Sequence, residues 1–304
     1  MQDILINRAG SYMHAGTEFS GGNMTHLIYN DPSFEVTHDV FPKGTVGCFY
    51  TMDTEEFEFN YIIKGRLEIF DVKEKVLLSP GDTFCYQKLE RNHLFKAIDD
   101  VELLSIRKTP CFGEFEESVT HLNEILFQLQ NVDGDTLSHC ERVKNLTMGI
   151  AYYLEFDQSQ LLNLFYAAKF HDVGKARIPV EILLKPEKLT DDEYEVMKTH
   201  SRHTYEMILE YYGPEVAKIA FDHHERLDGK GYPQGLKGDE ISLAARIICV
   251  ADAYDAMVVT RPYRVGMTTK NALAELRRCQ DIQFDSIVID ALEKYLLDLD
   301  KEIN

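Results

Sequence analysis

Hydrophobic and polar residues alternate over residues 57–70, a stretch rich in aromatic and β-branched side chains. Such alternation is typical of β-strands with one buried face. Lys64-Gly65-Arg66 interrupts the pattern where we expect a hairpin-like turn, and Ser79-Pro80-Gly81-Asp82 predicts a second turn. Further strands are expected at residues 83–86 and 102–107. We therefore predict an all-β domain over residues 1–112.

The pattern becomes helical after this region. Over residues 114–130 the apolar side chains recur at intervals of three and four, as on one face of an α-helix: Val119, Leu122, Ile125, Leu126 and Leu129. We assign residues 113–131 to a connecting helix, which either pairs with its copy in a homodimer or packs on its own domain. Gly134 breaks the pattern. Residues 160–168 predict a buried helix in a second, all-α domain spanning residues 132–304.

The composition agrees with two domains of ordinary size, because the chain has 304 residues and 44% of them are hydrophobic. No apolar run is long enough to span a membrane, and the first residues do not resemble a secretion signal, so we expect a cytoplasmic protein. The six cysteines show no Cys-x-x-Cys spacing and are expected to be reduced thiols. A formal net charge of −19 argues against nucleic acid and anionic membranes as partners.

The chemistry of the second domain centres on the dipeptide His171-Asp172, which follows the predicted buried helix. Alone, such a pair would most simply cap that helix. However, histidines and carboxylates recur at residues 135–143, at His200, and at residues 222–228 and 250–256. Imidazole and carboxylate ligands together suit iron, manganese or zinc. The two oxygens of a carboxylate such as Asp172 can also bridge two metal ions.

These motifs, taken in order, closely resemble the HD-GYP branch of the HD phosphohydrolases. The resemblance covers about residues 120–300, and its most specific parts are His171-Asp172, His223-His224-Glu225, residues 228–233 (Asp-Gly-Lys-Gly-Tyr-Pro), residues 251–257 and residues 261–264 (Arg-Pro-Tyr-Arg). It implies an all-α domain that holds two or three divalent metal ions, iron or manganese first among them. It also implies hydrolysis of cyclic di-GMP to pGpG, and further to GMP, by a water activated between two metals.

The resemblance implies a role for each ligand. One metal site would comprise His139, His171, Asp172 and Asp252, and the other Asp172 as bridge with His200, His223 and His224. Asp172 and Lys175 would serve catalysis, with the Lys175 ammonium on a substrate phosphate. The substrate-binding residues would be Lys175, Arg261, Arg264 and Tyr232. The arginines could clamp the second phosphate or stack on guanine.

Three positions differ from the family pattern. Asp135 lies four residues before His139, so both side chains would share a helix face. Some family members have glutamate there beside a third metal, whereas Asp135 also suits the N-cap of the following helix; we expect capping, with the third metal as the alternative. Ser201 and Thr204 stand where the family often has proline and glycine. These two changes lie at the edge of the site, outside the ligand set.

The N-terminal strands resemble a cupin, a jelly-roll barrel, through Glu58 followed by Gly65 and through the Pro80-Gly81-Asp82 turn. Metal-binding cupins place a His-x-His pair shortly before that glutamate, whereas residues 52–54 are Met-Asp-Thr. Because only His93 remains in a suitable position, we expect no metal in the barrel. The barrel is expected either to bind a small organic ligand as a sensor or to serve dimerisation.

The predicted fold class is thus a two-domain α+β chain, with a cupin-like jelly-roll barrel followed by an all-α HD-GYP domain. The leading functional hypothesis is a cyclic di-GMP phosphodiesterase regulated by the barrel. One alternative is a phosphodiesterase for another cyclic dinucleotide, such as cyclic GMP-AMP. Another is a catalytically inactive nucleotide-binding receptor, which the complete set of ligand residue types disfavours.

Overall fold

The computed structural model describes residues 14–19, 23–49, 57–70, 75–87, 93–108, 112–154, 156–260 and 265–303. The chain divides into two compact units, residues 1–123 and residues 124–304. Strands come first along the chain: β1 (His14–Phe19), β2 (Asn23–Asp31), β3 (Phe34–Phe41), β4 (Val46–Phe49), β5 (Glu58–Lys64), β6 (Leu67–Phe70), β7 (Lys75–Leu78), β8 (Thr83–Tyr86), β9 (His93–Ala97) and β10 (Val101–Arg107). Helices follow, which confirms the predicted α+β order.

The strands form two antiparallel sheets. One has six strands in the order β1-β2-β3-β10-β5-β8, and the other has four in the order β4-β9-β6-β7. Apolar side chains from both sheets form one buried cluster, in which Ile62 and Leu103 from the first meet Leu67 and Phe95 from the second. No ladder between the described strands joins the two sheets, so hydrogen bonding does not close a barrel in this part of the chain.

The turn at Gly65 is not the hairpin that the sequence predicts. Strand β5 pairs with β8 and β10, whereas β6 pairs with β7 and β9, so the turn carries the chain from one sheet to the other. Gly65 has a φ of 75°, and a Cβ there would lie 2.2 Å from the carbonyl oxygen of Asp100. This backbone conformation and the close approach both require glycine. The second predicted turn forms, with the Asp82 carboxylate accepting from the Ser79 N–H at 2.8 Å.

The six-stranded sheet carries a polar network on its buried face. The Ser105 hydroxyl lies 2.7 Å from Asp39 Oδ2 and 2.7 Å from Asn60 Oδ1. Asn60 donates to Glu58, which also accepts from Arg107 Nε at 2.8 Å. Burial would raise the pKa of Glu58, but the Arg107 guanidinium lowers it, so this carboxylate stays ionised. Glu58, on which the cupin resemblance rests, is therefore fixed by neighbours in its own sheet.

The helices are α1 (Phe112–Asp133), α2 (Thr136–Ala151), α3 (Gln158–Phe170), α4 (Val180–Leu183), α5 (Asp191–Phe221), α6 (Leu243–Val258), α7 (Thr269–Arg278) and α8 (Ser286–Ile303). Short 3-10 turns span Val173–Arg177 and Gly238–Glu240. Capping boxes begin α3, at Asp157 with Gln160, and α5, at Thr190 with Glu193. Helix α2 packs against α3, α6 and α8, and α3 packs against α5. Among the described helices, none has an apolar stretch that could cross a lipid bilayer.

Candidate metal centre

Seven predicted ligands come from four different parts of the helical unit. His139 lies on α2, His171 caps the end of α3, His200 lies on α5, and Asp252 lies on α6. The other three are Asp172, His223 and His224, which follow helix ends. Ligand atoms of His139, His171 and Asp252 lie within 4.8 Å of one another, as do those of Asp172, His200, His223 and His224. The structure thus gathers all seven side chains into two adjacent clusters.

The Asp172 carboxylate stands between these clusters, with one oxygen towards each. Its Oδ2 lies 3.6 Å from Nε2 of His139 and 3.6 Å from Nε2 of His171. Its Oδ1 lies 3.4 Å from Nε2 of His200. This arrangement suits a carboxylate that is shared by two metal ions.

Four of the histidines are oriented by a hydrogen bond at Nδ1. The backbone carbonyls of Ala168, Met197 and Ala220 accept from His171, His200 and His223 at 2.8, 2.8 and 2.5 Å. In each case the carbonyl lies three residues earlier in the chain, so the helix that precedes or carries the histidine fixes its ring. His139 Nδ1 instead meets Asp255 Oδ2 at 2.7 Å. A proton on Nδ1 leaves the Nε2 lone pair facing the cluster, as in metal-ligating histidines.

Several ligand atoms are buried without any hydrogen-bond partner. They are Nε2 of His171, His200 and His223, and Oδ1 of Asp172. Buried polar atoms are ordinarily satisfied, so each orphan requires an explanation. Here the four atoms belong to the two clusters and are of the donor types that iron, manganese and zinc accept. The residues therefore fit a metal centre.

The protonation states agree with ligand roles. Burial lowers the pKa of His200 and His223 to about 4 and holds that of His224 well below its usual range, so these imidazoles are neutral at pH 7. Burial would raise the pKa of Asp172, but Lys175 and neighbouring histidines lower it well below its usual value. His139 differs: burial would lower its pKa, yet hydrogen bonds to Asp252 and Asp255 raise it to about 9. Metal binding at His139 must therefore displace a proton near neutral pH.

The His171-Asp172 turn is tied to helix α5 by Thr204. The Thr204 hydroxyl accepts from the backbone N–H of Gly174 at 2.9 Å and donates to the carbonyl of His171 at 3.1 Å. Gly174 is needed because a Cβ there would lie 2.2 Å from the carbonyl oxygen of His200. The sequence marked Thr204 only as a departure at the edge of the site. Its hydroxyl in fact joins two of the ligand-bearing elements.

Asp255 is a site residue that sequence reasoning missed. Besides contacting His139, its Oδ1 accepts from Arg142 Nε at 2.7 Å and its Oδ2 from Arg142 Nη2 at 3.0 Å. The signal was present, because Asp252 and Asp255 are three residues apart on α6 and share a face. Asp255 acts on the cluster through His139, by fixing the orientation of its ring.

Asp135 does not cap helix α2 as predicted. It occupies the N-cap position, but its side chain makes no capping hydrogen bond. Asp133 takes this role, accepting from the N–H groups of Asp135 and Thr136 at 3.1 and 3.0 Å. The reason is that the Asp135 carboxylate is held by Arg142, at 3.1 Å from Nη2. Asp135 belongs to neither cluster.

The loop after His224 is held by the buried carboxylate of Glu225. It accepts from the N–H groups of Gln234, Gly235 and Leu236 at 2.6, 3.0 and 3.0 Å. The same loop carries Tyr232, whose ring centroid lies 4.7 Å from that of His224. The predicted loop residue is therefore brought beside the second cluster by a network whose anchor is Glu225.

Of the remaining predicted residues, Lys175 lies within the described structure and two arginines do not. Lys175 Nζ donates to Asp172 Oδ2 at 2.5 Å, next to the carboxylate that both clusters share. Arg261 and Arg264 lie outside the described residues.

The helical unit is similar to a known protein family and to known phosphodiesterases. The family described as HD domain matches residues 123–288. The chain is 40% identical over 193 residues to the cyclic di-GMP phosphodiesterase response regulator RpfG of Xanthomonas campestris, covering 62% of this chain and 51% of that protein. It is 45% identical over 292 residues to a probable cyclic di-GMP phosphodiesterase of Vibrio cholerae, covering 90% and 64%. It is also 41% identical over 163 residues to the 3'3'-cGAMP-specific phosphodiesterase 3 of Vibrio cholerae, covering 53% and 35%. The chain thus spans between about a third and two thirds of the length of these relatives.

Proposed function

This chain belongs to the HD-domain family, and from that premise we propose that it is a metal-dependent phosphodiesterase that hydrolyses cyclic di-GMP. The observation that carries the proposal is the position of Asp172, whose two oxygens face two separate clusters of metal-ligand side chains. Two-metal sites of this kind are used for in-line displacement at phosphorus. The similarity to two proteins named as established or probable cyclic di-GMP phosphodiesterases supports the choice of substrate.

In this proposal one divalent ion is held by His139, His171, Asp172 and Asp252, and the other by Asp172, His200, His223 and His224. Iron and manganese are the proposed ions because the resemblance to the HD-GYP branch implies them; the mixed imidazole and carboxylate donors suit both. When bound, two such ions polarise phosphate oxygens and lower the pKa of a water. A third ion beside Asp135 is the alternative stoichiometry.

The chain's own side chains supply orientation and charge. The Nδ1 hydrogen bonds keep the imidazoles in one tautomer, so their Nε2 atoms are ready as ligands. Lys175, whose Nζ donates to Asp172 at 2.5 Å, would donate to a substrate phosphate if that carboxylate held the metal ions instead. We propose that Arg261 and Arg264 bind the second phosphate or a base. The products are pGpG and, after a second round, GMP.

A second substrate of the same class is cyclic GMP-AMP. The observation that favours it is the 41% identity, over 163 residues, to a phosphodiesterase named as specific for 3'3'-cGAMP. Both substrates present two phosphodiester bonds to the same metal centre, so the ligands do not distinguish them. Residues other than the metal ligands must therefore distinguish guanine from adenine.

For the N-terminal region we propose a cupin-like barrel over residues 1–112, a connecting helix over residues 113–131, and the catalytic domain over residues 132–304. The two antiparallel sheets and their shared apolar cluster support a jelly-roll arrangement. Its buried polar network, centred on Asp39 and Arg107, supports a role in binding a small molecule, with a homodimer interface as the other role.

The test is product analysis by chromatography. Protein purified without air and loaded with Fe²⁺ or Mn²⁺ is incubated with cyclic di-GMP and, separately, with cyclic GMP-AMP. We expect pGpG or GMP from the unmodified protein and none from Asp172→Ala. If the protein cleaves cyclic GMP-AMP but not cyclic di-GMP, its substrate is cyclic GMP-AMP. Binding without any cleavage by the metal-loaded protein would favour a receptor.

A further inference from the structure

Two tyrosines and a lysine form a corner beside the second metal cluster; we call it the aromatic corner, made of Tyr194, Lys198 and Tyr232. The two rings stand almost perpendicular, at 80°, with centroids 6.4 Å apart. Lys198 Nζ lies 4.9 Å from the centroid of Tyr194 and 5.7 Å from that of Tyr232. Tyr194 and Lys198 are four residues apart on α5, so the helix places them on one face.

The aromatic corner is continuous with the metal ligands. Tyr232 lies 4.7 Å from His224 and 6.3 Å from His200 between ring centroids. The Tyr232 N–H donates to the His224 carbonyl at 3.2 Å, and Glu225 anchors the loop that carries it. Tyr232 therefore stands between the cluster and the other two corner residues. A nucleoside whose phosphate was bound at the metal cluster could therefore extend into the aromatic corner.

The outer part of the corner remains open to a ligand. The Tyr194 side chain is 46% exposed, which is unusual for an aromatic ring that only fills a core. Lys198 Nζ donates to Glu195 at 2.6 Å, but that carboxylate is 69% exposed. Exposed ion pairs of this type contribute little stability, so the ammonium can exchange Glu195 for another acceptor at small cost.

These chemical groups favour one nucleobase over another. An aromatic face stacks on any base, because every base has a π-face. A lysine ammonium has three donors and no acceptor. Guanine presents two neighbouring acceptors, N7 and O6, on one edge, whereas adenine presents the N6 donor beside N7. An ammonium in the corner is therefore complementary to guanine and meets a donor on adenine.

We propose that the aromatic corner is a guanine subsite, in which the base stacks on Tyr194, meets the perpendicular ring of Tyr232 with its edge, and accepts from Lys198 at O6 and N7. The inference rests on the proposed function for the placement of the phosphate on the metals. It adds residues that distinguish guanine from adenine, which the metal ligands cannot do. Lys198 and Tyr194 are thus specificity residues of the site.

The experiment measures the binding of GMP and AMP to the Mn²⁺-loaded protein by titration calorimetry. We expect the unmodified protein to bind GMP more tightly than AMP. Lys198→Met should reduce the ratio of the two Kd values by about 5- to 10-fold, the low end of what a bidentate base contact contributes, because a lysine is less rigid than an arginine. Tyr194→Ala should weaken GMP and AMP alike, by about 5- to 150-fold, and Tyr194→Phe should restore both. Lys188→Met, at an exposed lysine just before α5, is the matched charge control and should leave the ratio unchanged.

Three results would overturn the subsite: equal affinity of the unmodified protein for GMP and AMP, an unchanged ratio in Lys198→Met, or no GMP binding to the metal-loaded protein. A Lys198→Met variant that weakens GMP and AMP equally would also contradict the base reading, because the ammonium would then act on the phosphate. Turnover of cyclic di-GMP is measured on the same samples. A preserved GMP preference without turnover would reject the proposed hydrolysis and keep the subsite.

Discussion

Asp255→Asn perturbs the metal centre without removing a proposed ligand. In the structure the Asp255 carboxylate accepts from His139 Nδ1 at 2.7 Å and from Arg142 through both of its oxygens. Asparagine has nearly the same shape, but it is neutral and has one acceptor oxygen. His139 then loses the negative charge that raises its basicity, and Arg142 loses one of its two hydrogen bonds to this side chain together with the charge of the acceptor.

The expected effect on metal binding follows from the role of such outer partners. Replacing a residue that orients a metal-ligating histidine typically costs about 10- to 100-fold in metal affinity, which is about 1.4–2.7 kcal/mol. The metal-free protein should also lose stability. The Arg142 side chain is 35% exposed, so solvent screens its ion pair, which contributes about 0.5–1 kcal/mol to the unfolding free energy. The buried pair with His139 adds to this loss below about pH 9, where His139 is protonated.

The assay is calorimetric titration of the metal-free proteins with Mn²⁺ at pH 8.5 and pH 6.5. The pKa of His139 is raised to about 9, so below that pH a proton competes with the metal. Asparagine at 255 lowers this pKa and relieves the competition, so the variant's loss of affinity should be larger at pH 8.5 than at pH 6.5. Arg142→Gln is the control, because it breaks the same ion pair and leaves Asp255 on His139. Unchanged Mn²⁺ affinity of Asp255→Asn at both pH values would show that Asp255 does not act on the metal centre through His139.

Three further substitutions test the elements that hold the site. Thr204→Val leaves the buried N–H of Gly174 without an acceptor, so urea denaturation should show a loss of about 1–3 kcal/mol in unfolding free energy. Thr204→Ser should retain most of the stability. If Thr204→Val unfolds at the same urea concentration as the unmodified protein, the Thr204 hydroxyl does not stabilise the His171-Asp172 turn. Glu225→Gln removes the charge that three N–H groups of residues 234–236 face, so those amides should exchange hydrogen faster, and unaltered protection would contradict its role as anchor. Gly174→Ala places a Cβ 2.2 Å from the carbonyl oxygen of His200, so the purified variant should retain less metal by mass spectrometry, whereas full retention would show that the close approach is dispensable.

The helical part of the fold was predictable because its signals are local. The spacing of Leu122, Leu126 and Leu129 indicated α1, and Gly134, with a φ of 76°, ends the helical pattern there. The pairing of strands was not predictable in the same way. The residues at Gly65 look like those of a hairpin, but β5 and β6 find their partners in different sheets. Alternation defines a strand's faces without naming its neighbours.

The candidate site shows the same division. The ligand types and their order along the chain were readable, and the structure brings all seven together. Thr204 and Asp255 were not assigned, because their hydrogen-bond partners lie 30 and 116 residues away on other elements. The position of a threonine within a helix does not indicate that its hydroxyl will accept from a backbone N–H 30 residues away. Asp133 caps α2 instead of Asp135 because Arg142 holds the Asp135 carboxylate. The sequence does not show that Arg142 reaches Asp135.

The most direct test of the central claim is anomalous scattering from crystals loaded with Mn²⁺, recorded at the manganese absorption edge. A two-metal centre should give two strong peaks about 3.5–4 Å apart. One is expected within reach of His139, His171 and Asp252, and the other within reach of His200, His223 and His224. The Asp172 carboxylate should lie between them with one oxygen on each. A single peak, or manganese bound away from Asp172, would contradict the two-metal centre.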